Sequence, residues 1–180
     1  MYSSMLRLAF LSLLFLVPVN PPSSDSISAP FSLAVVPEFS GSEGGSIAMA
    51  NYKPRNFYVV LTNISKEPQA VWEYWNSWGY QTISFEFTTA SGKKGRILKR
   101  QQDFTVNFPS TFLIQPGEHQ VYAVQLDQWW QAHPSLPKAD EMPIALKAVY
   151  EVSPTPEASQ HKVWTGRVES HTYNFKLRQW

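Results

Sequence analysis

The chain is predicted to be all-β, an antiparallel sandwich of seven to nine strands, and three observations predict it. Apolar and polar residues alternate with a period of two in segment after segment. Proline, glycine and asparagine turn signals separate those segments, and evidence for helix is confined to a single turn from Asp127 to His133. A face that alternates greasy and wet is what an antiparallel sheet with one solvated side produces, and two such faces bury each other.

The N-terminus comes first. Residues 1–7 carry one cation, an apolar run from Leu8 to Val19 is broken only by Ser12 and Pro18, and a proline- and serine-rich stretch follows. That order reads as a secretory signal peptide over residues 1–29, cut near Ala29 where Ser26 and Ser28 are also small. The apolar run falls short of the roughly 20 residues a spanning helix needs, so no stable membrane span is expected after cleavage. The remainder, residues 30–180, is read as one sandwich domain that is secreted or periplasmic. With no cysteine, neither a disulfide nor a lipid-modified cysteine is available to it. About 150 residues can bury near 68% of their unfolded surface, enough for a single core.

Strand patterns then run in order. Residues 31–36 are a weaker candidate; Phe57, Val59 and Leu61 alternate with Tyr58, Val60 and Thr62. Residues 71–75 are weak again, while Ile83, Phe85 and Phe87 alternate cleanly with Ser84, Glu86 and Thr88. Residues 95–100 follow, then the pattern Phe104, Val106, Phe108, then residues 111–115. Tyr122, Val124 and Leu126 make the next strand, residues 144–152 a longer one, and Tyr173, Phe175 and Leu177 the last. Pro116-Gly117 suits the centre of a type II turn, because proline fixes φ near −65° and glycine accepts a positive φ. Asp127 would cap the single helical turn, which Pro134 and Pro137 stop. Two long loops, residues 38–55 and 128–143, stand out.

The formal net charge is +1, and removing residues 1–29 leaves it unchanged because Arg7 and Asp25 cancel. Such a chain has no global field to steer nucleic acid, so no nucleic-acid partner is expected. Five cations lie within eight residues, Lys93, Lys94, Arg96, Lys99 and Arg100, and read as a solvated strand edge that resists aggregation, with an anionic glycan as the functional alternative. His119, His133, His161 and His171 lack metal-ligand spacing, and no nucleophile elbow, calcium loop or phosphate loop occurs. Glu73, Glu86, Asp103, Asp127, Asp140 and Glu141 are carboxylates whose mutual distances a sequence does not give. We therefore expect no metal, no cofactor and no enzyme activity. Asn63-Ile64-Ser65 fits the N-glycosylation pattern but has a turn role of its own.

The densest feature is residues 72–80, with five aromatic rings in nine residues. These rings either fill the core and cover the end of the sandwich or meet a partner, since an amphipathic ring suits sugar faces and protein surfaces. On the second reading Trp75, Trp78, Trp129 and Trp130 are the candidate contact residues.

The phrase Leu61-Thr62-Asn63-Ile64-Ser65-Lys66-Glu67-Pro68, with Leu113-Ile114-Gln115-Pro116-Gly117-Glu118 further on, resembles bacterial secreted immunoglobulin-like β-sandwich domains. The closing run from Val163 to Ser170 is similar to the final-strand signature of uncharacterised exported proteins of that fold. The resemblance implies an immunoglobulin-like sandwich. An asparagine-bearing strand end with a Pro-Gly-Glu turn is also similar to the intracellular proteinase inhibitor family of bacilli. This chain departs from that family in its leader and in lacking the tryptophan-arginine-tryptophan centre, so inhibition is not carried over. The expected function is binding to another exported protein or a cell-surface glycan through aromatic rings and long loops, with a proteinase inhibitor-like domain or a carbohydrate-binding module as alternatives.

Overall fold

The computed structural model describes residues 29–37, 40–41, 44–49, 57–136 and 142–179. The predicted leader up to residue 28 lies outside them, as do parts of both long loops. Among the described residues the strands are β1 (Phe31–Pro37), β2 (Ser40–Gly41), β3 (Gly44–Met49), β4 (Phe57–Asn63), β5 (Gln69–Trp72), β6 (Ile83–Thr89), β7 (Lys94–Lys99), β8 (Thr111–Ile114), β9 (His119–Val124), β10 (Trp130–His133), β11 (Met142–Val152), β12 (Gly166–Glu169) and β13 (Tyr173–Gln179). Two short helices, α1 (Ser77–Tyr80) and α2 (Pro156–Gln160), interrupt them. The protein is all-β with antiparallel sheets, as its period-two pattern predicts; the pairing of β13 with β3 is parallel.

A three-stranded sheet runs β1–β4–β9, and a larger sheet runs β10–β7–β6–β11–β13–β3–β2. Alternation puts Phe31, Leu33 and Val35 of β1 and Phe57, Val59 and Leu61 of β4 on the buried side. Phe85 and Phe87 of β6 and Ile144, Leu146, Ala148 and Tyr150 of β11 are buried too. The faces meet ring to ring: Phe57 lies 5.4 Å from Phe85 and Phe31 lies 6.4 Å from Tyr150. Trp164 closes one side, 5.3 Å from Phe31 and stacked 6.1 Å from Tyr150. The first half of β11 pairs with β13 and the second half with β12. Ser170 bridges the break, because its hydroxyl accepts the Ala148 N–H at 2.9 Å while its own N–H donates to the Ala148 carbonyl at 2.9 Å.

The turn after β4 is built around a fully buried Asn63. Its Nδ2 donates to the carbonyls of Glu67 and Ile114, both at 2.8 Å. Its Oδ1 accepts from the Ser65 N–H at 2.9 Å and the Ser65 hydroxyl at 2.7 Å, so both donors and both acceptor sites are used. The Asn63 carbonyl also accepts the Gly117 N–H at 2.8 Å, tying this turn to Pro116-Gly117, where Gly117 has φ of 80°. The glycosylation pattern at Asn63 is thus occupied by the fold itself.

On the outward side of the larger sheet, Glu86, Lys147, Glu151, Arg167 and Glu169 sit on three neighbouring strands. Arg167 reaches Glu86 at 2.7 Å, Glu151 at 3.0 Å and Glu169 at 2.7 Å, while Lys147 bridges Glu86 and Glu169. Burial alone would raise Glu86, but hydrogen bonds from Arg167 and Lys147 outweigh it and lower its pKa; Lys147 and then Arg167 lower Glu169. A carboxylate held below its unfolded value contributes stability above that value and loses it as pH falls through the folded one. Acid should therefore destabilise the protein below roughly pH 4.5. Arg167→Met should cost about 1 kcal/mol at neutral pH and low salt, shrinking as salt and acid screen or neutralise the carboxylates. Denaturant midpoints at two pH values and two ionic strengths check this; an effect independent of both would contradict it.

Four expectations need correction. Residues 104–108 form no strand: Val106 is 68% and Phe108 52% exposed. Phe104 packs on Tyr80 and Phe108 on Trp75, so a period-two pattern here serves rings on the surface rather than a sheet face. The single helical turn from Asp127 to His133 is absent; Asp127 instead makes a turn into β10, within a stretch expected to be loop. Thirteen described strand segments exceed the seven to nine expected, because short pairs such as β5–β8 and β2–β3 add to the two facing sheets. Helix α2 lies outside the one turn where helix is expected: Thr155 accepts the Ala158 N–H and Pro156 opens the helix.

Candidate functional site

Strand β9 ends the small sheet and β10 ends the larger one, so two sheet edges flank the same side of the molecule. Between them opens a cleft of about 210 Å³. Residues 121–124 of β9 form one wall, Lys99 and Trp130 the other, and Tyr80, Thr82 and Ile83 the back. A second crevice continues from it past Tyr80, Lys99 and Trp130 to Trp129, Gln102, Gln125 and Asp127.

Local sequence explains this wall. The Asp127 carboxylate accepts the Trp129 N–H at 2.9 Å and its carbonyl accepts the Trp130 N–H at 3.1 Å, a turn that sends the two tryptophans in opposite directions. Trp130 is 7% exposed and packs 5.4 Å from Phe85, whereas Trp129 is 48% exposed. The Trp129 carbonyl accepts the Arg100 N–H at 2.7 Å, which anchors the turn to the end of β7.

Strand parity divides the cationic cluster. Arg96 faces outward to Ser84 and Glu151, and Lys93 donates to the Ser135 carbonyl. Lys99 shares parity with buried Ile97 and enters the cleft, its Nζ 4.3 Å from the Tyr80 ring centre and 5.6 Å from that of Trp130. Among the described residues no carboxylate lies within salt-bridge distance of it. Burial lowers the Lys99 pKa, only partly opposed by the charge of Asp127. The same burial, and then Asp127, raise the phenol of Tyr80.

Tyr122 lines the cleft, is buried, and has a hydroxyl without a hydrogen-bond partner among the described residues. The Tyr150 hydroxyl behind it is in the same condition. The two rings sit 6.3 Å apart, and burial drives both phenols well above their ordinary range. At the mouth stand Tyr74 and Val121, both exposed.

Of the four candidate tryptophans, the structure brings Trp129 and Trp130 together. Trp75 is 40% exposed but pairs with Phe108 at 5.0 Å, and Trp78 lies on buried Trp72 at 5.9 Å. Among the described residues no ring contact joins these groups to Trp129. Sequence reasoning noticed Tyr80, Lys99 and Tyr122 but gave them no joint role, since they come from α1, β7 and β9. Glu73 and Asp127 are held by structural bonds, and Asp140 and Glu141 lie outside the described residues. Among the described residues no helix is long and apolar enough to cross a membrane. What the cleft offers chemically is recognition: ring faces and one ammonium. No protein-family model matches the chain, and no curated protein sequence matches it significantly.

Proposed function

We propose that the protein is an exported, non-catalytic binding module of immunoglobulin-like sandwich architecture that holds another exported protein at the β9–β10 cleft. The strand neighbours support the architecture: β1–β4–β9 opposed to β12/β13–β11–β6–β7 follows the order A–B–E opposed to G–F–C–C′. The leader-like N-terminus supports export, in keeping with the resemblance to secreted domains of this type. One observation carries the binding role. Trp129 stands half out in solvent beside an unpaired Lys99 and the rings of Tyr80 and Trp130, where two sheet edges leave the layers uncovered. An exposed indole beside a desolvated cation is the composition of an interface anchor.

A second reading, a cell-surface glycan, is favoured by Gln102, Gln125 and Asp127 around the Trp129 ring, which pair a stacking face with polar groups. The test places a photo-crosslinking phenylalanine derivative at Gln125, exposed in the crevice beside Trp129, and exposes the exported chain to envelope extract of the source cells. A discrete crosslinked protein is expected, and Trp129→Ala should weaken its capture about tenfold, the loss of a hot-spot anchor. Capture indifferent to Trp129→Ala and Tyr80→Ala would overturn the proposal, and a protease-resistant, glycan-bearing adduct would favour the second reading.

A further inference from the structure

We infer that the cleft is built for a ring bearing a carboxylate, with Lys99 as its counter-ion and the rings of Tyr80, Tyr122 and Trp130 as its walls. The inference rests on reading this cleft as the binding face and names the chemistry that it selects.

Charge comes first. An ammonium withdrawn from water is costly unless paired, and Lys99 has ring faces in contact while the Asp127 carboxylate acts on it only from beyond salt-bridge distance. Cation–π contact returns part of that cost, whereas a carboxylate adds a charge-assisted hydrogen bond in a partly desolvated site. Tyr122 adds only its ring to the cleft, because its hydroxyl is sealed from that space on the side of Tyr150.

Shape comes next. A dry apolar cavity of about 150 Å³ admits benzene. The space here is about 210 Å³, sufficient for one ring and a short acidic arm. Val124, Ile83 and Trp130 supply apolar surface, and Tyr74 stands over the entrance. Two sources share this chemistry: a free aromatic acid, and the C-terminal aromatic residue of a polypeptide. The open mouth beside Trp129 suits either.

The test is a tryptophan-fluorescence titration of the exported chain with phenylacetate, phenylacetamide, and a short peptide ending in phenylalanine with its terminus free or amidated. Phenylacetate should bind saturably and about tenfold more tightly than the amide, the difference made by one charge-assisted contact. Lys99→Met, which keeps the apolar stem, should abolish that preference. The wild-type acid-to-amide ratio stands even if a variant fails to fold. A free-terminus peptide binding more tightly than phenylacetate would mark a polypeptide end as the source, and the reverse a small acid.

Equal binding of acid and amide, or no binding of either, would overturn the inference. If that occurs while Trp129→Ala still abolishes partner capture, the anionic-ring chemistry fails and the binding face stands. If capture ignores Trp129 while phenylacetate binding needs Lys99, the protein-partner reading fails and the chemistry stands.

Discussion

Asn63→Ala is expected to lower the free energy of unfolding by about 3–5 kcal/mol, a large part of a typical domain's stability. The substitution removes four hydrogen bonds at once. It takes a donor from the Ile114 carbonyl and the acceptor from the Ser65 N–H, leaves the Glu67 carbonyl only the Ser65 hydroxyl and the Gln69 amide, and opens a cavity at a position with no solvent exposure. Each buried group left unpaired costs about 1–3 kcal/mol, so even partial rescue by water leaves a large deficit. Asn63→Asp should be no milder, because a carboxylate has no proton for the two carbonyls that Nδ2 now serves. Urea unfolding with an unchanged slope is the check. A loss below about 1 kcal/mol for Asn63→Ala would mean that the two turns are not joined through this side chain.

Gly79→Ala should be nearly as damaging, for a steric reason. A Cβ at this position would lie 2.1 Å from the Glu73 carbonyl oxygen and 2.6 Å from its carbon, both backbone atoms. The chain at residues 73–74 crosses directly over α1, and only a residue without a side chain lets it pass. Asn76 fixes the same crossing, accepting the Gly79 N–H at 2.9 Å and donating to the Ser110 carbonyl at 3.1 Å. Overpacking against backbone costs about 3 kcal/mol. Because Gly79 and Tyr74 both border the cleft, phenylacetate affinity should fall with stability. Wild-type affinity in a folded Gly79→Ala protein would show that the crossing does not shape the site.

These predictions also show what the sequence makes legible. Period-two alternation located β1, β4, β6, β9, β11 and β13 because those strands bury one face, and hydrophobic burial leaves that trace directly. The same rule misplaced residues 104–108, where alternating rings meet Tyr80 and Trp75 on the surface. Local chemistry was readable where partners are close in sequence, as with the Asn63 oxygen and the Ser65 N–H. It was not readable across 51 residues to the Ile114 carbonyl. The cleft lies at that second limit. Trp129 and Trp130 were singled out together, yet one is exposed and the other core, a difference made by the Asp127 turn. Lys99 looked like one cation among five until strand parity turned it inward.

Hydroxyl-radical footprinting of the tryptophans, with the protein alone and with its crosslinked partner present, tests the account most directly. Alone, Trp129 and Trp75 should oxidise quickly while Trp72 and Trp130 stay protected; with the partner, Trp129 should become protected and Trp75 should change little. Protection of Trp129 in the isolated chain, or its unchanged oxidation in the complex, would contradict a binding face between β9 and β10.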